Sequence, residues 1–201
     1  MRLSASRLTV ERGGRIVFSE LSFAVEAGSC LTVTGPNGAG KSTLLRALAG
    51  LLPLAQGEIS LTPESDATLA EEAHYVGHTD ALKSLLTVTE NLEFLGPMLD
   101  AGRGGLTVEA ALTAFRLSHV ADLPAAYLSA GQRRRVALAR LLVARRPVWL
   151  LDEPLTALDM GSQKLMADIM AAHLAHGGLI VAATHAELGL QGTDLRLGTF
   201  T

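Results

Sequence analysis

The chain carries a single cysteine, Cys30. An internal disulfide is therefore excluded, and a reducing cytosol suits the composition. Cys30 sits in an apolar, strand-like run and reads as a small core residue. A basic excess is also missing: 17 Lys and Arg face 20 Asp and Glu, for a net charge of −3. That balance argues against a broad nucleic-acid-binding face, and no nucleic-acid partner is expected. Long hydrophobic runs are absent as well. No stretch reaches the roughly 20 uncharged apolar residues that a membrane helix needs. The longest candidates are cut by Arg46, or by Arg145 and Arg146. Charge interrupts the start, Met1 to Arg7, before a signal-peptide apolar region develops, so no signal peptide is expected. Work at a membrane would then go through a partner. There is no internal repeat and no low-complexity tract.

What the chain does hold is apolar material for a core, 48% of its 201 residues, which suits one compact domain. Leu8 to Val10, Ile16 to Phe18 and Leu21 to Val25 read as short strands, with Gly13-Gly14 turning between the first two. Cys30 to Thr34 is a β-favouring run that stops at a glycine-rich segment. A helical pattern then places Leu44, Leu45, Leu48 and Leu52 at helix spacing. Gly57 to Leu61 and His74 to Val76 read as further strands. From about Thr79 to Leu128 the texture is helical, broken by Gly96-Pro97, Gly102 to Gly105 and Pro124. A helix from Ala130 to about Arg145, the strand Val148 to Leu151, a helix from about Ser162 to His176 and the strand Leu179 to Ala183 complete the alternation. Alternating strands and helices predict an α/β fold around a mostly parallel sheet, with an N-terminal antiparallel β part.

The glycine-rich segment, Gly35-Pro36-Asn37-Gly38-Ala39-Gly40-Lys41-Ser42, matches the P-loop pattern at every specified position. Phosphate oxygens need several donors at close range, and the amides of a tight loop supply them once glycine removes side-chain obstruction. The following helix turns its N-terminus, from Lys41 through Thr43, toward the same anion. Lys41 adds a full charge for the β/γ-phosphates of ATP, and the Ser42 hydroxyl suits Mg²⁺. Further on, four apolar residues of a buried strand lead into Asp152 and Glu153. Open parallel sheets bind ligands at the C-terminal ends of their strands, so these carboxylates are expected beside the P-loop. Asp152 would hold Mg²⁺, and Glu153 would polarise the attacking water as general base. Trp149, in that strand, reads as core packing.

Leu128-Ser129-Ala130-Gly131-Gln132 resembles the signature of the ABC (ATP-binding cassette) family, with Ala130 in place of its first glycine. Locally, Ser129 and Gln132 also form a helix capping box. Ala157-Leu158-Asp159 resembles the family's D-loop, and His185 its switch histidine. The resemblance covers essentially the whole chain. It implies a P-loop ABC ATPase with an inserted helical subdomain at about 79–130 and a core of 1–78 and 131–201. It also implies a homodimer in which Ser129, Gly131 and Asp159 complete the opposite protomer's ATP site.

Two positions depart from the family pattern. Arg12 stands where an aromatic residue commonly stacks on adenine, and a guanidinium plane can stack there instead. His78 stands where the Q-loop glutamine is expected, with Thr79 and Asp80 as alternatives for that contact. Arg133-Arg134-Arg135 reads as a solvated helix face with ion pairs. His173 and His176, three apart on one helix, could share a metal, but no third ligand is evident.

Three functions fit an ABC ATPase: a transporter subunit, a soluble DNA-repair or translation ATPase, and a binding-only domain. A single cassette disfavours the translation type, and the span from Lys41 to Leu128 has no room for a long coiled coil. Glu153 and His185 speak for turnover. Among transporters the chain most resembles the ATP-binding subunits of cytochrome c maturation haem exporters. The arginine before Gly13-Gly14, Tyr75 to His78, Leu128 to Leu142 and Pro147 to Asp159 carry that likeness. It implies an integral membrane partner of that system and a place on the cytoplasmic face of a bacterial inner membrane. Another small exporter is the alternative, because the cargo follows from no residue in the chain.

Overall fold

The computed structural model describes residues 1–63, 67–99 and 104–198. It divides into two compact units. The first comprises Met1–Gly77, Pro147–Glu153 and Ile169–Thr201, the second His78–Arg146 and Pro154–Asp168.

The first unit contains an antiparallel sheet of β1 (Arg2–Arg12), β2 (Arg15–Glu26) and β4 (Gln56–Thr62), in the order β2-β1-β4. Gly13 and Gly14, at φ 59° and 74°, form the tight turn that joins β1 to β2. Hairpin turns of this kind require left-handed backbone at both central residues. The two strands expected at 16–18 and 21–25 are one. Leu8 pairs with Leu21 and Val10 with Phe18, so β2 carries an extra residue between them, and Glu20 sits at φ 54°. Such a bulge breaks the apolar alternation without ending the pairing, which is why the pattern split into two.

The second sheet is parallel throughout: β3 (Cys30–Thr34), β5 (Ala73–Val76), β6 (Val148–Asp152), β7 (Leu179–Ala183) and β8 (Gly192–Arg196), in the order β5-β6-β7-β3-β8. Every residue of β6 and β7 is buried, as the apolar runs 148–151 and 179–183 require of a sheet covered on both faces. Strand β8, Gly-Thr-Asp-Leu-Arg, has no apolar run to announce it, and pairing with β3 along the sheet edge makes it a strand. Helix α1 (Lys41–Leu48) buries Leu44, Leu45, Ala47 and Leu48 in a core shared with Leu8, Phe18, Val33, Leu150 and Val181. The short α2 (Leu69–Glu72) opens on a reciprocal Thr68–Glu71 capping box. Cys30 is buried, and burial pushes its thiol up to about 11, so it is an inert core residue.

The second unit holds α3 (Val88–Leu99), α4 (Val108–Ala114), α5 (Ala130–Val143) and the start of α6 (Met160–Ala175), a helix that ends in the first unit. Threonine caps start α3 and α4. The amides of Glu90 and Ala110 donate to the hydroxyls of Thr87 and Thr107, respectively. Helix α6 begins earlier than expected because Asp159 caps it, and Gly177 at φ 82° follows its end. The basic run of α5 is not a solvated face. Consecutive helical residues point about 100° apart, so the three arginines cannot share one side. Arg134 is 4% exposed and pairs with the Asp80 carboxylate at 3.5 Å. Arg133 donates to the Leu128 carbonyl and Arg135 to the Phe115 carbonyl. His173 and His176, at and just past the end of α6, do not form a metal pair either. His173 lies flat on Trp149, with ring centroids 3.8 Å apart, and Nε2 donates to the Pro147 carbonyl. His176 Nδ1 bonds the Ala172 carbonyl at 2.7 Å. Among the described residues, no helix is long and apolar enough to cross a membrane.

These environments order the arginine and lysine contributions to stability. Arg134→Ala should destabilise the chain by about 3 kcal/mol, since it deletes one partner of a largely buried ion pair. Lys164→Ala, which breaks the exposed pair with Asp168, should cost less than about 0.5 kcal/mol. Denaturant unfolding of both variants checks the order.

Candidate nucleotide site

Because the strands of the second sheet are parallel, their C-terminal ends lie along one edge, and β3, β6 and β7 each deliver a functional segment there. From β3 the chain enters the glycine loop. Gly35 (φ 140°) lies so close to Leu197 that a Cβ would stand 2.4 Å from its carbonyl oxygen. At Gly40 (φ 97°) a Cβ would stand 2.7 Å from Val17 Cγ1. Both positions therefore demand glycine, by backbone conformation and by space. Gly40 precedes α1 in the left-handed conformation and offers no side-chain cap. The amides of Gly38, Gly40, Lys41, Ser42 and Thr43 donate to no acceptor among the described residues. A consecutive run of unmatched amides at a helix N-terminus is the donor set that a polyphosphate needs, so the site fits the phosphates of ATP.

Lys41 folds back over the loop. Its ammonium donates to the carbonyls of Gly35 at 2.8 Å and Pro36 at 3.2 Å, and stands 3.1 Å from His185 Nε2. The ammonium only donates, so Nε2 accepts and the proton of the neutral ring belongs on Nδ1. Ser42 follows Lys41 in the first turn of α1, half-buried, with Thr43 beside it.

Strand β6 delivers Asp152, 4% exposed and paired in register with Ala183 of β7. Glu153 follows at φ 49°, a left-handed conformation that is unusual outside glycine. It is held there by a bond from its amide to the Ala183 carbonyl at 2.8 Å, and Oε2 accepts from the Thr184 hydroxyl at 3.3 Å. Thr184 was not singled out from the sequence. The available signal was a hydroxyl just past the strand end, one residue before His185. Arg12 is exposed on the β1–β2 hairpin, opposite Arg15, and the same hairpin brings Val17 and Phe18 onto Gly40. Lys41, Ser42, Asp152, Glu153, His185 and Arg12 thus belong to the first unit.

The remaining candidates belong to the second. His78 and Thr79 are exposed, while Asp80 is engaged by Arg134. Ser129 and Gln132 make the capping box read from the sequence, with reciprocal bonds of 3.2 and 2.8 Å. Gly131 lies against the next motif: a Cβ there would stand 3.0 Å from the Ala157 carbonyl, and Ala157 itself is at φ 63°. The Asp159 carboxylate accepts from the Ser162 amide at 2.7 Å. That backbone bond first, then the Ser162 side chain and the positive charges of Arg135 and Arg116, hold its carboxyl below the usual range.

A glycine loop of P-loop pattern, an acidic strand end and a histidine two residues past the next strand together mark a P-loop ATPase. Residues 18–156 match the ABC transporter family, and the chain belongs to it. It is therefore an ATP-binding, ATP-hydrolysing transporter subunit. It is 57% identical to the cytochrome c biogenesis ATP-binding export protein CcmA of Nitrobacter winogradskyi, across 98% of both chains. It is 54% identical to the protein of that name from Nitrobacter hamburgensis, across 100% of both. Among solved structures, its fold is similar to a Pyrococcus furiosus chain assigned as an ABC transporter ATP-binding protein, with a TM-score of 0.83 at 22% identity across 98% of both chains. The ATP-binding subunit of another ABC transporter gives a TM-score of 0.81 at 25% identity, over 92% of this chain and 80% of that one.

The depressed Asp159 carboxyl makes the cap of α6 pH-dependent, with a definite sign. A carboxyl whose folded pKa is lowered adds stability above its unfolded pKa and loses it as pH falls through the folded value. The stability difference between wild type and Asp159→Ala should be full at neutral pH and shrink below about pH 4. Thermal melts of both proteins across that range check it.

Proposed function

We propose that this chain powers an exporter of cytochrome c biogenesis, with haem as the cargo. The observation that carries this reading is near full-length similarity, at 57% identity, to a relative named for that export role. In this reading the whole chain, 1–201, works as one ATPase domain with a helical subdomain at about 79–130. It sits on the cytoplasmic face of a bacterial inner membrane, bound to an integral membrane subunit.

The residues take the following roles. Gly35, Pro36, Asn37, Gly38, Ala39 and Gly40 wrap the phosphates with Lys41, Ser42 and Thr43. Arg12 stacks on the adenine. Ser42 and Asp152 hold Mg²⁺, whose chemistry is to neutralise charge on the β- and γ-phosphates. Glu153 accepts a proton from the attacking water, and His185 contacts the γ-phosphate. His78 takes the part that the Q-loop glutamine plays in the family's hydrolysis. Ser129, Gly131 and Asp159 complete the site of a second copy, so that hydrolysis needs a homodimer. The capped start of α5 supports that role, because a helix N-terminus favours an anion.

Three outcomes test this. Glu153→Gln should form a dimer in Mg-ATP and remain monomeric without it, as read by size-exclusion chromatography with light scattering. A strain whose only copy carries Lys41→Ala should lack haem-stained c-type cytochromes; normal staining would overturn the export reading and leave the ATPase standing. His78→Gln should keep most turnover, whereas His78→Ala should bind ATP normally and hydrolyse it slowly.

A further inference from the structure

Thr184 directly follows the buried strand β7 and is itself 1% exposed. Its hydroxyl makes two contacts of opposite sense, one with Glu153 Oε2 at 3.3 Å and one with the Ala186 amide at 3.0 Å. An amide can only donate, so Oγ1 accepts from Ala186. An ionised carboxylate can only accept, so the one hydroxyl proton goes to Glu153. A single hydroxyl orientation satisfies both neighbours. The backbone of Thr184 is itself anchored, its amide donating to the Val33 carbonyl on β3 at 3.3 Å.

We propose that Thr184 is a positioning residue for ATP hydrolysis, holding the Glu153 carboxylate and the turn that carries His185 in one fixed relation. This rests on the role of Glu153 as base given above. Glu153 stands at φ 49°, and a donor fixed on Oε2 restrains the placement of its carboxylate. On the other side, the bond from Ala186 closes a turn around His185, a local side-chain-to-backbone closure typical of threonine. The imidazole leaves that closed turn with Nε2 at 3.1 Å from the Lys41 ammonium. Base and histidine are thereby referred to the same buried oxygen. Neither contact involves the glycine loop, so Thr184 acts on the geometry of the reacting groups and not on affinity for the phosphates. Its loss should appear in kcat and spare KM.

The test compares ATP hydrolysis by the full chain with Thr184→Val and Thr184→Ser, each alone and combined with Glu153→Gln. Valine keeps the branched shape and removes the hydroxyl. It should lower kcat roughly tenfold or more, the scale of one lost hydrogen bond to a charged group, with KM and nucleotide Kd within about twofold of wild type. Serine should restore at least about half of the wild-type kcat by re-forming the same bonds. In the Glu153→Gln background, Thr184→Val should bring a smaller further loss than in wild type, since only the turn around His185 is then left to disturb. An unchanged kcat, a parallel rise in KM, or losses that multiply in the double variant would each overturn the proposal. If the valine variant does not fold, Thr184→Ala against Thr184→Ser carries the comparison, and wild-type kcat in the alanine variant overturns it. Wild-type turnover in Glu153→Gln alone would instead remove the base assignment, and this proposal with it.

Discussion

The parallel pairing of β6 with β7 does not stop where the strands do. It runs from Val148 opposite Leu179 to Asp152 opposite Ala183, and then one step further, to the Glu153 amide on the Ala183 carbonyl. That last bond turns the chain into a left-handed conformation at Glu153. Because β7 also pairs with β3, the same register sets the level of the glycine loop against both carboxylates and His185. In a sheet buried on both faces, a slip of one residue would send every side chain to the opposite face. Such a slip would repack every buried side chain of β6 and β7, and that close packing keeps the site in register.

At that edge the polar groups are arranged to be exchangeable. The Lys41 ammonium is satisfied by two loop carbonyls and one imidazole, all of which phosphate oxygens can replace at similar distance. The amides that begin α1 have no acceptor among the described residues. Such donors are costly to bury and cheap to leave facing water, so a binding loop of this kind must lie at the surface. Glycine makes the arrangement possible at two particular positions. Gly35 passes the Leu197 carbonyl and Gly40 passes Val17 at distances that no side chain would allow.

Local structure and proposed function coincide in the second unit. Ser129 caps α5 and Asp159 caps α6, and both are residues for which a role across a dimer is proposed. A helix start built to satisfy its own first amides is also a point of partial positive charge, so the capping residue is already beside an anion site. The arginines of α5 follow a different logic. Each reaches a separate carbonyl or carboxylate within the unit, which spends their charge on packing and leaves little for a surface field.

Much of this was legible from residue order alone. The glycine loop, the apolar strand ending in Asp152 and Glu153, and the S-x-x-Q start of α5 each follow from local chemistry that neighbouring residues cannot override. Strand β8, the continuity of β2 through Glu20, and the burial of Arg134 were not legible, because each depends on a partner distant in the chain: β3, β1 and Asp80. Thr184 belongs with these. By itself the sequence determined which groups can bind phosphate, ligate a cation and take a proton, since those capacities reside in the residues and their immediate spacing. Only the tertiary structure decided that a hydroxyl next to His185 meets a carboxylate 31 positions away in the chain, because strand pairing alone brings Glu153 and Thr184 to the same sheet edge.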